Sequence, residues 1–386
     1  MKQINRQCPV CGHGDISLIF ENEMAPIGGF DMSYSIGRCG HCGFHFAHRL
    51  PDAATYGRYY RTVSKYDAPG ITSAVDQARI DATVQFCEQH IGRNAVIADL
   101  GCGYGALLGG FHSAGWKCLH GIDPAPMSAK CALERYGLTN IHQATIAQAH
   151  EALNLAEVDL VCCMAVLEHL PDLRQNLTDL LQKLRIGCKV LVEVPPIECF
   201  SATDNEPHGE LSLEHIQFFS QASLRNLFNS LGASTVAIEL RPLPMVASGS
   251  LFGLFEWGGV PSTPTPFEAE SGEAFSSYVA ESSRQMKAAL SRIPEGPLII
   301  FGAGSHTARL LPQLERKTGC DVVAIVDNNP NLTGKTMGRW VIKEKGWVSK
   351  SPSVPILVSS FRAQSAIAES LRVSVKNPLI LLYGQN

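Results

Sequence analysis

A glycine-rich turn with an acidic residue in front of it carries the clearest chemical signal of the chain. It spans residues 99–105, DLGCGYG, and follows an apolar run typical of a buried strand. Glycines between a strand and a helix let the backbone approach a ligand, and free N–H groups at the helix N-terminus favour an anion. Gly101, Gly103 and Ala106 also satisfy the dinucleotide pattern G-x-G-x-x-G/A, so the glycines alone do not identify the ligand.

Two acidic residues narrow the choice of ligand. Asp99 stands two residues before the first glycine, where a carboxylate suits a ligand with a cationic amino-acid portion and would repel a pyrophosphate. Asp123 follows 24 positions later at the end of the next predicted strand, where it can accept hydrogen bonds from both hydroxyls of a ribose. A glycine turn that merely packs is the alternative.

Two pairs of cysteines form the second signal. Their members are Cys8 and Cys11, then Cys39 and Cys42. Thiolates spaced in this way can share one tetrahedral zinc, and two pairs complete a closed, structural site. Each pair is followed by the glycine that such turns favour, and the 27 residues between the pairs must fold back, since compact ribbons have about 15 to 20. The alternatives are a redox or disulfide role for these cysteines and a cluster that binds no metal.

The other cysteines and the nearby histidines are given no ligand role. Nine further cysteines lie in apolar segments, where free cysteine behaves as a small buried hydrophobe. Unpaired thiols in that number fit a reducing compartment rather than a disulfide scaffold. The histidines close to the cysteine pairs are expected to face solvent: His13, His41, His45 and His48.

An alternation of apolar strands and helices must position the glycine turn. Strands are predicted at residues 95–100, 117–123, 158–164 and 188–194, with helices at about 106–114 and 172–184. Strands that alternate with helices imply an α/β fold with a parallel, doubly wound sheet. Ligands of such sheets lie beyond the carboxyl ends of the strands, where the turn and both acids fall.

A second strand, glycine turn and helix opens the last part of the chain. Residues 298–306, LIIFGAGSH, precede a helix and a strand, 322–327, that again ends in an acid. Thr307 occupies the third glycine position of the dinucleotide pattern, so a dinucleotide site is only weakly indicated. A nucleotide-holding domain, an empty structural domain and an NAD site are the three interpretations.

The middle of the chain resembles class I S-adenosylmethionine (SAM)-dependent methyltransferases. They share the D-x-G-x-G-x-G turn, an acid that ends the second strand, and a V-L-E-H-like run, here residues 166–169. The resemblance implies that the turn holds the methionine end of SAM and that Asp123 holds the ribose. It also implies that two residues at the end of the strand 158–164 lie beside the cofactor. The implied cofactor-binding residues are Asp99, Gly101, Gly103, Gly105, Asp123, Met164 and Ala165.

The order of the parts is similar to that of deoxysugar C-methyltransferases, which act on nucleotide-linked ketosugars. That resemblance implies a general base or proton shuttle at His215, an orienting partner at Glu214 and a second histidine at His169. Imidazole suits the role because it titrates near neutral pH. Ser212 stands where that family has a tyrosine, so C- and O-methylation both stay open.

Composition excludes several function classes. With 386 residues the chain can form two or three domains. A net charge of −4 leaves no basic field for nucleic acid. The N-terminus is polar, and the most apolar stretch, 242–255, is broken by proline, serine and glycine, so no signal peptide or membrane span is predicted. We expect a cytoplasmic protein with a small-molecule substrate and no nucleic-acid or membrane partner.

The predicted organisation has four parts. They are a zinc-binding module (1–55), a SAM-dependent methyltransferase domain (56–257), a linker and helix (258–293) and a smaller Rossmann-like domain (294–386). The expected activity is C- or O-methylation of a nucleotide-activated sugar in surface-glycan or natural-product biosynthesis. The alternatives are methylation of another small metabolite, an NAD-dependent sugar oxidoreductase or epimerase, and a non-catalytic scaffold.

Overall fold

An antiparallel sheet forms from the N-terminal part of the chain. The computed structural model describes residues 3–62, 72–201, 205–243, 246–265 and 269–384. The first strands and helix are β1 (Gln3–Asn5), β2 (Ile16–Asn22), β3 (Tyr34–Cys39), β4 (His45–Pro51) and α1 (Ala53–Thr62). The strand order is β1-β4-β3-β2, and Ile16 lies opposite Cys39 in the β2–β3 hairpin. The chain between the cysteine pairs therefore folds back, as predicted.

A seven-stranded sheet forms the centre of the molecule. Its strands are β5 (Val96–Leu100), β6 (Cys118–Asp123), β7 (Ile141–Gln143), β8 (Leu160–Met164), β9 (Lys189–Val194), β11 (Ala233–Leu243) and β12 (Val246–Trp257). The helices around it are α2 (Ala74–His90), α3 (Ala106–Ser113), α4 (Ser128–Tyr136), α5 (Ala149–Ala152), α6 (Leu173–Leu181) and α7 (Gln221–Leu231). The four predicted strands and two predicted helices are present, with ends shifted by up to three residues.

The order of the central strands creates a ligand crevice. The order is β11-β12-β9-β8-β5-β6-β7, with β12 antiparallel to both of its neighbours and the other pairs parallel. The chain leaves β5 toward β7 and then returns to β8 on the opposite side of β5. In open α/β sheets the ligand crevice lies at such a reversal, beyond the carboxyl ends of the strands. The α/β prediction is confirmed.

Both faces of the central sheet are covered by apolar side chains. On one face, Phe86 of α2, Phe111 of α3 and Trp116 are fully buried. On the other face, α6 and α7 pack in one cluster with Phe44 and Phe46 of the N-terminal sheet. The N-terminal sheet therefore shares a core with the central one.

A third sheet lies in the last part of the chain. Its elements are α8 (Ala269–Ser291), β13 (Gly296–Phe301), α9 (Ser305–Arg316), β14 (Cys320–Asp327), β15 (Thr336–Met337), β16 (Trp340–Glu344), β17 (Ile356–Val358), α10 (Gln364–Ser374) and β18 (Leu379–Leu381). The order is β15-β16-β14-β13-β17-β18, and every pair except β15–β16 is parallel. The loop between β2 and β3 also contacts this unit, because the Ala25 N–H donates to the Ala308 carbonyl.

Residues 205–219, which we name the clamped segment, connect all three sheets. Strand β10 (Gln217–Phe218) lies in it and pairs with β4 of the N-terminal sheet. The Leu211 carbonyl accepts hydrogen bonds from Asn22, at 3.1 Å, and from Arg309 of α9, at 3.4 Å. The hydroxyl of Tyr34 donates to the Ser212 carbonyl at 2.9 Å. The position of this segment thus depends on both flanking units.

Within the described ranges, no helix combines the length and the apolar composition that are needed to cross a bilayer.

Candidate active site and cysteine cluster

The glycine turn has no room for a side chain at Gly101 or Gly105 and has open space at Gly103. Gly101 and Gly103 have φ angles of +86° and +53°. A Cβ atom at Gly101 would lie 2.8 Å from Cγ2 of Val166, so only glycine fits there. A Cβ atom at Gly103 would meet no atom within 4 Å. Gly105, at φ +81°, precedes α3, and the turn therefore leads directly into a helix N-terminus.

Asp99 lies at the base of this turn and is almost completely buried. Its side chain is 3% exposed, and Oδ1 has no hydrogen-bond partner among the residues that the structure describes. Burial, together with the nearby charge of Asp123, raises the pKa of Asp99 to about 7. A buried carboxylate with an unsatisfied oxygen favours a cationic ligand.

Asp123 ends β6 and faces the same turn. Its Oδ2 accepts a hydrogen bond from the Gly103 N–H at 2.9 Å, and its Oδ1 accepts from the Ala125 N–H at 2.8 Å and from Ser128 Oγ at 3.1 Å. The carboxylate thus connects the turn to the loop after β6. This arrangement holds the acid at the edge of the crevice, where the sequence predicted it.

Met164 and Ala165 lie on the other side of the crevice, at the end of β8. Both are half-buried, and Ala165 has a φ of +52°, which is rare for a residue with a side chain. The Ala165 N–H donates to the Glu193 carbonyl at 2.9 Å. Because Val166 contacts Gly101, the chain runs from this point past the glycine turn to His169.

The three predicted catalytic residues come together at the end of that run. The ring of His169 lies 5.0 Å from the ring of His215, and His169 Nδ1 is 3.0 Å from the Glu214 carbonyl oxygen. The Glu214 carboxylate accepts a hydrogen bond from the Tyr59 hydroxyl at 3.2 Å. Ser212 Oγ accepts the backbone N–H groups of residues 214 and 215. The phenol that contacts Glu214 is therefore that of Tyr59 on α1. Position 212, where the resembling family has a tyrosine, is a serine in this chain.

Two buried acids beside these histidines were not predicted. Glu168 and Glu193 are each 1% exposed. Glu193 has partners, since Arg79 lies 3.3 Å from its Oε1 and Ser250 donates to the same oxygen. Burial and the charge of Glu193 raise the pKa of Glu168 to about 8. An acid inside the apolar run 190–194, VLVEV, is the sequence pattern that could have revealed Glu193.

The four paired cysteines form one cluster. Their Sγ atoms all lie within 4.8 Å of one another, with Cys8–Cys42 and Cys11–Cys39 at 3.5 Å. The Gly12 N–H donates to the Cys8 carbonyl, and the Gly43 N–H donates to the Cys39 carbonyl. A zinc–sulfur length of about 2.3 Å places tetrahedral ligands roughly 3.8 Å apart. The donor set and its spacing therefore fit zinc.

The expectation that His45 faces solvent is wrong. Its ring is 1% exposed and stacks on Phe275 of α8, with 4.4 Å between ring centroids. Burial and the charge of Arg38 lower its pKa to about 3, so the ring is neutral. His45 is the first of three successive buried residues of β4. Its closeness to the cysteines in sequence gave no indication of this burial. The rings of His13 and His41 stack on each other, with 3.9 Å between their centroids.

The glycine turn of the third sheet repeats part of the first. The Ala303 N–H donates to Asp327 Oδ2 at 2.7 Å, as the Gly103 N–H does to Asp123. Thr307 is fully buried, and its hydroxyl lies within hydrogen-bond distance of the Gly302 carbonyl oxygen and of Ser359 Oγ. The threonine at the third glycine position therefore supports the turn from inside.

Comparison with known proteins identifies one part of the chain. Residues 74–238 match a family model that is described as a methyltransferase domain. A ubiquinone biosynthesis O-methyltransferase of Azoarcus sp. (strain BH72) is 38% identical over 79 residues, which are 20% of this chain and 34% of that protein. The chain therefore spans about a third of the length of the curated relative that it matches.

Two solved structures are similar to the chain at low sequence identity. One is the magnesium protoporphyrin IX methyltransferase of Synechocystis PCC 6803 with bound SAM, at a TM-score of 0.40 and 16% identity, covering 54% of this chain and 99% of that one. The other is the 1,6-didemethyltoxoflavin-N1-methyltransferase of Burkholderia thailandensis, at a TM-score of 0.43 and 18% identity, covering 61% and 100%.

The family model agrees with the strand order and the glycine turn found above, and it does not favour the oxidoreductase alternative. Residues 74–238 are a methyltransferase domain.

Proposed function

We propose that the chain binds SAM in the crevice between β5 and β8 and transfers its methyl group to a small-molecule acceptor. The observation that carries the proposal is the buried Asp99 with its unpartnered Oδ1. The α-amino group of SAM is a cation that would supply the missing partner. The open space above Gly103 gives room for the same ligand, and Asp123 would accept its ribose hydroxyls.

The cluster of His169, Glu214 and His215 would take up the proton that the acceptor loses. When bound, SAM supplies a methyl group on a positively charged sulfur, and the acceptor loses one proton for the methyl group that it gains. His215 is our choice for the residue that receives this proton. Glu214 would support the charged imidazole, and Tyr59 fixes the Glu214 carboxylate through its hydroxyl. The backbone carbonyl of Glu214 orients His169.

For the acceptor we propose a nucleotide-activated sugar that is methylated on carbon or oxygen. The family resemblance suggests it, and the second glycine turn supports it. That turn places the Gly304 backbone at the start of α9 and an acid, Asp327, beside it, as Rossmann-like nucleotide sites do. The third unit would hold the nucleotide, and the clamped segment would present His215 to the sugar.

The cysteine cluster would hold one structural zinc. Its four thiolates leave no position open for a substrate, so the ion would not take part in the reaction. Cys8, Cys39 and Cys42 belong to the apolar cluster that packs α6 and α7. The zinc would therefore stabilise the contact between the N-terminal sheet and the methyltransferase domain.

The first prediction concerns SAM binding. Replacing Asp123 by alanine removes two hydrogen bonds to a charged acceptor, each worth roughly 1.5–3 kcal/mol. Calorimetry should show SAM affinity weaker by at least about 100-fold. Asp327→Ala changes the equivalent acid of the third unit and should leave the affinity as it is. Unchanged SAM affinity in the Asp123→Ala protein would contradict the assignment.

The second prediction concerns the metal. Elemental analysis of the purified protein should find one zinc per chain, and Cys8→Ser should lose it. A chelator should lower the melting temperature, because metal binding is coupled to folding. Cys118→Ser is the control, since Cys118 is an exposed cysteine outside the cluster. Zinc well below one equivalent in the unaltered protein would reject the site.

The third prediction concerns proton removal. The acceptor is first identified by incubating SAM with a panel of nucleotide-sugars and finding the methylated product by mass spectrometry. His215→Ala should then lower kcat by about 10²–10⁴ while SAM still binds, and Glu214→Gln should cost less. His142→Ala, which alters an exposed histidine on β7, should leave kcat unchanged. Turnover at the parent rate by His215→Ala would show that the proton leaves by another route.

A further inference from the structure

Glu168, His169 and His215 present two imidazoles and one carboxylate to a common point. One possible ligand atom from each lies within 4.8 Å of the other two. Divalent first-row metals bind such mixed nitrogen and oxygen sets, and two histidines with one carboxylate leave further positions open. Neighbouring ligands of one ion lie about 3 Å apart, so the side chains would close by up to about 2 Å on binding.

The hydrogen bond of His169 determines which nitrogen faces that point. Its Nδ1 lies 3.0 Å from the Glu214 carbonyl oxygen, which can only accept, so Nδ1 carries the hydrogen. In the neutral ring, Nε2 then presents a lone pair toward Glu168 Oε1, 3.8 Å away. Metal-binding histidines commonly donate their other N–H to a backbone carbonyl in this manner. A cation placed between these two acceptors would be a ligand partner for both.

The Glu168 carboxylate is the second, independent observation. The side chain is 1% exposed, and its Oε2 has no hydrogen-bond partner in the part of the chain that the structure describes. The neighbouring buried acid, Glu193, does have partners in Arg79 and Ser250. The Oε2 atom of Glu193 is likewise without a hydrogen-bond partner among the described residues. Glu193 differs in having the Arg79 guanidinium beside its other oxygen, whereas Glu168 Oε1 faces the His169 ring.

We propose that Glu168, His169 and His215 bind a divalent cation beside the SAM site. This inference rests on the proposed function and deepens it. The open positions of the ion would take acceptors that carry adjacent oxygens, such as a vicinal diol or a hydroxyl group beside a carbonyl. A cation bound to the acceptor hydroxyl makes that hydroxyl more acidic. With the ion bound, His215 would be one of its ligands, and the proton lost by the hydroxyl would pass to solvent water. Without the ion, His215 keeps the proton-accepting role proposed above.

Manganese is the probe of choice, because the thiolates of the cysteine cluster prefer softer metals. The free Mn²⁺ signal in electron paramagnetic resonance is followed while the chain of 386 residues, purified with any metal that the cysteine cluster holds, is titrated. We expect saturable binding of one Mn²⁺ per chain at concentrations below about 1 mM. Glu168→Gln, His169→Ala and His215→Ala should each weaken it by at least about 10-fold. His150→Ala, an exposed histidine on α5, should not.

SAM calorimetry on the same proteins separates the two proposals. The cation site is overturned if the protein binds SAM but shows no saturable Mn²⁺ binding. It is also overturned if all three site variants bind Mn²⁺ as tightly as the unaltered protein does. Either result leaves the methyltransferase function standing. Failure of the unaltered protein to bind SAM would instead reject the proposed function. A variant that still binds SAM and melts near the parent temperature is folded, so its loss of Mn²⁺ supports the cation site.

Discussion

Arg309 is almost fully buried, forms an ion pair with Glu206, and also donates to the Leu211 carbonyl. Removing one member of a buried ion pair costs about 3–5 kcal/mol, because the other charge is left without compensation. Arg309 lies on α9 of the third sheet, while both partners lie in the clamped segment. The third unit therefore fixes the segment that carries Glu214 and His215.

The clamped segment is held from the opposite side by the N-terminal sheet. Asn22 and Tyr34 donate to its carbonyls, and β10 extends the sheet through β4. The cysteine cluster anchors that sheet to the methyltransferase domain through the apolar contacts around α6 and α7. Three units that are separate in sequence thus determine where the candidate proton acceptor stands relative to the glycine turn.

The sequence predicted the parts of the site that local chain patterns determine. The strands before Asp99 and Asp123 are apolar runs bounded by glycine or by an acid, and the turn between them needs glycine for its backbone path. The contact of Tyr59 with Glu214 joins positions 155 residues apart, and no local pattern encodes it. The ion pair of Arg309 and the burial of His45 were not predicted for the same reason, since both depend on packing between units.

Excess buried negative charge is the common property of the two halves of the site. Asp99 and Asp123 interact across the glycine turn, and Glu168 and Glu193 interact beside the histidines. Within the pairs, the pKa of Asp99 and that of Glu168 are raised by burial and by the neighbouring acid, so each half is more stable when it receives positive charge. SAM would bring such charge to the first pair, and a divalent cation would bring it to the second.

The most direct test of this account is the pH dependence of SAM affinity, because Asp99 has a pKa of about 7 before the ligand binds. An adjacent ammonium group favours the ionised carboxylate, so the carboxylate must lose its proton on binding at lower pH. Calorimetry should show affinity falling about 10-fold between pH 7 and pH 5.5. The Asp99→Asn protein should bind SAM weakly, and its affinity should not show this decline. Any effect of the titration of SAM itself is the same for both proteins and therefore cancels in the comparison. Equal affinity of the two proteins across that range would contradict the account.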